Sequence, residues 1–127
     1  MPHLRLEVSA NAAAGMDWQA LFQDMHAVLH EQGGIKLDNC KSRVAVLDDY
    51  RVGDGSEAGA FAHLDVRFMS GRPGELKARL GEGLRDVLVR AFATALEQRE
   101  MQTTVELRDI EHAGYFKYPE GTLTPQH

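Results

Sequence analysis

Four stretches of the chain alternate apolar and polar side chains, and two longer stretches repeat their apolar positions every three to four residues. Residues 3–9 set Leu4, Leu6 and Val8 against His3, Arg5 and Glu7, the period of a half-buried strand. Asp17 is placed to cap a helix carrying Trp18, Leu21, Phe22, Met25, Val28 and Leu29 on one side, and Gly33-Gly34 ends it. Residues 42–47, with β-branched Val44 and Val46, read as a second strand. Past the turn cluster Gly53-Asp54-Gly55-Ser56 the order repeats. Residues 61–69 alternate Ala62, Leu64, Val66 and Phe68 with His63, Asp65 and Arg67. Pro73 suits the first turn of a helix that runs to about Glu100 on the stripe Leu76, Leu80, Leu84, Val87, Leu88, Ala91 and Ala95. Residues 103–108 supply a fourth strand, with Val105 and Leu107 inward.

Two strand–helix–strand units, roughly 2–52 and 58–112, plus a C-terminal tail predict one domain over residues 1–127. The expected fold class is α+β, a four-stranded sheet with two helices on one face. The other face carries Arg5, Glu7, His63, Asp65 and Arg67, which pack only against water or another polar surface. Such a sheet also has open edges, so association through its faces or edges is expected.

Composition adds mainly exclusions. With 43% hydrophobic and 26% charged residues in 127, the chain is neither disordered nor fibrous. The 14 basic and 19 acidic residues give a net charge of −5, which argues against a nucleic-acid or anionic-membrane partner. No apolar run approaches a membrane span and the start lacks a signal peptide's layout, so a cytoplasmic protein is expected. The single cysteine, Cys40, rules out an intramolecular disulfide and a thiolate metal cluster.

Few residues can carry chemistry. Pro2 is the first: an initiator methionine is normally removed ahead of a small residue, which would leave an N-terminal secondary amine. An α-amino group titrates at about 7.7–8.0, and burial or a nearby arginine lowers that value toward the range a general base needs. Arg72 is the second, on a loop between a strand end and a helix start, where its fork can grip a carboxylate. Lys41 and Arg43, two apart on a strand, share a face and together can hold an anion. His26 and His30 have the spacing of a two-histidine metal site but no third ligand, and a solvated helix face is the plainer account. Cys40 has no histidine at motif spacing, and no glycine pattern matches a phosphate loop.

These pieces resemble the tautomerase superfamily, and within it the 5-carboxymethyl-2-hydroxymuconate delta-isomerase family. The resemblance runs from Pro2 to about Lys117. It rests on Pro2-His3 with Glu7 and Ser9, then Ser42-Arg43-Val44, then Ala60-Phe61 with His63. It continues through Gly71-Arg72, Glu106, Glu111 and Phe116-Lys117. It implies a cytoplasmic isomerase of the intramolecular oxidoreductase type, using neither cofactor nor metal, usually a homotrimer, in aromatic-compound catabolism. Pro2 would take the proton of a 2-hydroxy-dienoate and return it at a distant carbon, giving the conjugated 2-oxo-enoate. Arg72 would hold a substrate carboxylate and draw electron density along the conjugated system; Arg43 and Lys41 would bind substrate. Two departures stand out. Lys41 replaces a frequent arginine, a point charge in place of a fork. Tyr118-Pro119-Glu120-Gly121 stands where the family tends to carry asparagines. The alternatives are a tautomerase for a different enol, or a non-catalytic small-acid-binding or assembly protein on the same fold.

Overall fold

A computed structural model describes residues 1–120; the last part of the predicted tail, 121–127, lies outside the described residues. The elements are β1 (His3–Ser9), α1 (Trp18–Gly33), β2 (Lys41–Leu47), β3 (Gly59–Met69), α2 (Gly74–Ala91), α3 (Ala93–Gln98) and β4 (Glu100–Ile110). They form one sheet in the order β2-β1-β3-β4. The two central strands are antiparallel, and each takes the edge strand of its own unit in parallel.

Alternation decides which face is which. Leu4, Leu6 and Val8 of β1 and Ala62, Leu64, Val66 and Phe68 of β3 are buried beneath the helices, with Met25 and Leu29 of α1 and Leu80, Leu84 and Leu88 of α2 above them. The edge strands are only half-covered: Val105 and Leu107 pack on the core without being fully buried. Arg5, Glu7, His63, Asp65 and Arg67 share the opposite face with Arg43, Thr104, Glu106 and Arg108. There Asp65 takes Arg67 at 3.4 Å and Arg108 at 3.6 Å, while Glu106 takes Arg108 at 3.0 Å and His63 at 3.3 Å.

Local chemistry sets the helix ends. The Asp17 carboxylate accepts from the Ala20 amide at 3.1 Å, the expected N-cap. Gly34, at φ 65°, takes the left-handed turn that stops α1 and returns its N–H to His30. Pro73, expected in the first turn of α2, stands instead one position before it, extended at ψ 152°. The second helix does not run unbroken to Glu100. It breaks at Phe92, whose ring is 1% exposed and lies 6.4 Å from Trp18 between centroids. The chain must be extended by Glu100, whose amide donates to Ala58 O at 3.0 Å and starts the β3–β4 ladder. That ladder makes β4 longer at both ends than residues 103–108.

Phe92 therefore joins the end of α2 to α1. Phe92→Ala should lower unfolding free energy by about 3–5 kcal/mol, whereas Val89→Ala, on a half-exposed position of the same helix, should change it within about ±0.5 kcal/mol. Urea unfolding at one fixed protein concentration measures both.

Candidate active site

Sheet topology brings four chain points to one end. Because β1 and β3 are antiparallel, with His3 opposite Arg67, the N-terminus lies beside the C-terminal end of β3. Because β2 runs parallel to β1, its first residue, Lys41, lies beside His3. Because β4 runs parallel to β3, it finishes at the same end, with Ile110 opposite Met69. The Ser70 amide and the Ile110 carbonyl, 3.0 Å apart, tie the two exits together.

Pro2 is buried, and its carbonyl accepts the Lys41 amide at 3.2 Å, which pins the first residues to the sheet. Arg72 follows Gly71, whose φ of 119° belongs to the left-handed half of backbone space that a side chain resists. The turn folds Arg72 back over the end of β3. Its Nη1 donates to Met69 O at 2.9 Å, and its guanidinium carbon stands 4.9 Å from the centre of the Phe68 ring. Lys41 Nζ donates to Asn39 O at 3.3 Å.

These cations surround the α-amino group, which in this chain is that of Met1. Burial, then the positive charges of Arg72, Lys117 and Lys41, hold that amine below its ordinary value of 8.0. Arg72 and Lys41, both singled out from the sequence, thus act on one group. Arg43 lies beside it on the polar face of the sheet and is directed at His3, with Nη1 and Nη2 at 3.3 and 3.2 Å from Nδ1. Arginine only donates, so Nδ1 accepts and the proton is on Nε2, which donates to the Tyr115 hydroxyl at 2.7 Å. Burial, then Arg43, Lys41, the N-terminal amine and Arg67 disfavour a charged imidazole here.

Sequence reading alone assigned no site role to His3, Tyr115 or Lys117. His3 and Tyr115 are 112 residues apart, and only the strand order brings them together. The available signal was that order itself, which returns the segment after β4 to the start of β1.

The other candidates are engaged elsewhere. His26 Nε2 is 2.7 Å from Ser42 Oγ, and His30 Nδ1 is 2.9 Å from the Ile35 carbonyl. Among the described residues no three His, Cys, Asp or Glu side chains converge as a metal cage, and no helix is long and apolar enough to cross a membrane. Burial pushes the Cys40 thiol up, away from thiolate chemistry. A cavity of about 610 Å³ between α1 and β2 is lined by Phe22, His26, His30 and Leu37. Neither Pro2 nor Arg72 borders it.

Residues 2–120 match the family described as 5-carboxymethyl-2-hydroxymuconate isomerase. The chain is 28% identical over 117 residues to a 5-carboxymethyl-2-hydroxymuconate Delta-isomerase of Escherichia coli, covering 92% of this chain and 93% of that one. It is 31% identical to a crystal structure of a 5-carboxymethyl-2-hydroxymuconate isomerase from Deinococcus radiodurans R1, with TM-score 0.84 and coverage of 91% and 87%. A fused 4-OT described as a symmetric trimer shares the fold at 19% identity, with TM-score 0.73 and coverage of 94% of each chain.

The geometry fixes the direction of one measurement. If the α-amino group of the chain beginning at Met1 is acylated across a pH series, its midpoint should fall below 8.0. Arg72→Gln should raise that midpoint, and Arg43→Gln should move it less, because removing a nearby positive charge restores the ammonium form. A midpoint unmoved by Arg72→Gln would separate the guanidinium from the amine.

Proposed function

The chain belongs to the 5-carboxymethyl-2-hydroxymuconate isomerase family, and from that premise we propose that it is a cofactor-free isomerase in which Pro2, freed of Met1, is the base. The substrate is a 2-hydroxy-dienoate carrying more than one carboxylate, of the 5-carboxymethyl-2-hydroxymuconate kind. The neutral proline nitrogen takes the proton of the 2-hydroxyl group. The O–H electron pair becomes the new C=O bond, the two C=C bonds collapse to one between them, and the far carbon of the dienol takes the proton back from the prolinium. No atom or electron is gained overall; carbon–oxygen oxidation and carbon–carbon reduction occur in one molecule, the intramolecular oxidoreductase type.

One observation carries the reading: the α-amino group one residue ahead of Pro2, that of Met1, feels the positive charges of Arg72, Lys117 and Lys41. Those charges favour the neutral amine, and the same charges attract a carboxylate-bearing substrate. Arg72 grips a carboxylate through its fork and draws charge along the conjugated system as the oxygen gives up its proton. Lys41 and Arg43 also bind substrate, Lys41 as a point charge and Arg43 from the polar face.

We further propose a homotrimer. The edges β2 and β4 are unpaired in the single chain, the charged back of the sheet is open, and Phe116 and Tyr118 are 88% and 95% exposed. A threefold ring covers such surfaces and closes the end of the sheet into a pocket; the structural neighbours described as symmetric trimers support that arrangement. A lone buried thiol and a reducing compartment agree, and we assign the enzyme to the cytoplasm.

Arg72→Ala should lower kcat/KM for a dicarboxylate dienol about ten- to a hundredfold, the loss of a charge-assisted hydrogen bond in the transition state. It should lower unfolding free energy by about 1–2 kcal/mol at most, through loss of the hydrogen bond to Met69 O and the contact with the Phe68 ring. Ultraviolet assay and urea unfolding on the same preparation check both. Unchanged turnover with reduced stability would make Arg72 a structural residue.

A further inference from the structure

The segment after β4 does not trail away from the sheet. A short turn over His112–Gly114 brings Tyr115 back to β1, with the His112 ring nitrogen Nε2 3.3 Å from Ser70 O on the way. Tyr115 is half-buried while Phe116, Lys117 and Tyr118 beside it are exposed, so Tyr115 is the residue that docks. It docks on His3 in two ways: the 2.7 Å hydrogen bond from Nε2, and an edge-on ring contact at 6.0 Å between centroids. Arg43 completes the arrangement by occupying Nδ1, which leaves Nε2–H as the only donor His3 can offer.

The spacing is what matters. His3 is two residues from the chain start, and Tyr115, in extended backbone, is two residues from Lys117. Clasping residue 3 to residue 115 therefore holds Lys117 close to the chain start, where its charge acts on the N-terminal amine. We infer that Lys117, delivered by the Tyr115–His3 clasp, binds a second substrate carboxylate and gives the site its preference for dicarboxylates over monocarboxylates. The inference rests on the isomerase reading of the same site. Arg72 approaches the amine from the β3–α2 loop and Lys117 from the C-terminal segment, so the two cations stand on separate elements, the arrangement an elongated diacid needs. Lys117 is then a substrate-binding residue, whereas Tyr115 and His3 are positioning residues acting through it.

Binding of non-isomerisable acids tests this apart from turnover. Calorimetry with adipate and hexanoate, on protein shown by mass to lack Met1, should find adipate bound more tightly. Lys117→Ala should weaken adipate about fivefold or more and hexanoate less than twofold, and Lys117→Arg should restore adipate to within about twofold. Tyr115→Phe, which keeps the ring and removes only the hydroxyl, should reproduce part of the adipate loss. Combined with Lys117→Ala, it should add nothing further. Equal losses for both acids, no loss in Lys117→Ala, an additive double variant, or a wild type indifferent to the second carboxylate would each overturn the inference. Retained adipate selectivity in a protein that fails to turn over any dienol would instead sink the isomerase reading and leave this one standing.

Discussion

Everything at the site follows from the antiparallel pairing of β1 with β3. That pairing places the chain start beside the end of β3, and the two parallel edge strands then bring the start of β2 and the end of β4 to the same place. Its register is not free to slip. Leu4, Leu6, Val8, Leu64, Val66 and Phe68 are all 0–1% exposed on the helix side. A one-residue shift would turn Arg5, Glu7, Asp65 or Arg67 into that core. Full burial of such apolar side chains stabilises by about 1.5–3 kcal/mol each, far more than the ion pairs of the polar face contribute. Hydrophobic patterning thus fixes the position of a charged cluster.

That cluster runs against the protein's overall charge. The chain carries −5, yet the end of the sheet holds Arg72, Lys41 and Lys117 around one amine. Gathering cations is unfavourable, and the structure offsets it locally. Arg72 gives a hydrogen bond to Met69 O and rests on the Phe68 ring, Lys41 bonds Asn39 O, and Arg43 finds a neutral acceptor in His3. Arg72, Lys41 and Arg43 are thus anchored by a carbonyl, a ring or an imidazole. The charges of Arg72 and Lys41 act on the amine.

Much of this was legible in the sequence, and the boundary is physical. Period-two alternation gave the strands and period-3.6 stripes the helices, while Asp17 and Gly34 marked the ends of α1, because those signals are local. The break at Phe92 was not visible, because the apolar stripe continues through Ala95, and the long-range demand that Glu100 pair with Gly59 ends α3 at Gln98. Pro2, Arg72 and Lys41 could be picked out by residue type and placement. Arg43 was picked out too, but its engagement with His3 depends on strand register. Tyr115 carries no signal near itself, since its meaning comes from a contact across more than a hundred residues, and Lys117 was legible only as part of the Phe116-Lys117 resemblance, without a role.

The central claim is that a free, neutral N-terminal proline is the base. The direct test follows the Pro2 nitrogen by ¹⁵N NMR in protein shown by mass to lack Met1, alongside kcat/KM for a 2-hydroxy-dienoate across pH. Only the neutral amine accepts a proton, so activity should rise with pH through a single ionisation. That ionisation should coincide with the proline titration and lie below the ordinary α-amino range of about 7.7–8.0. A kcat/KM that stays flat across the proline titration, or full activity in protein whose Pro2 nitrogen is still an amide, would contradict the account.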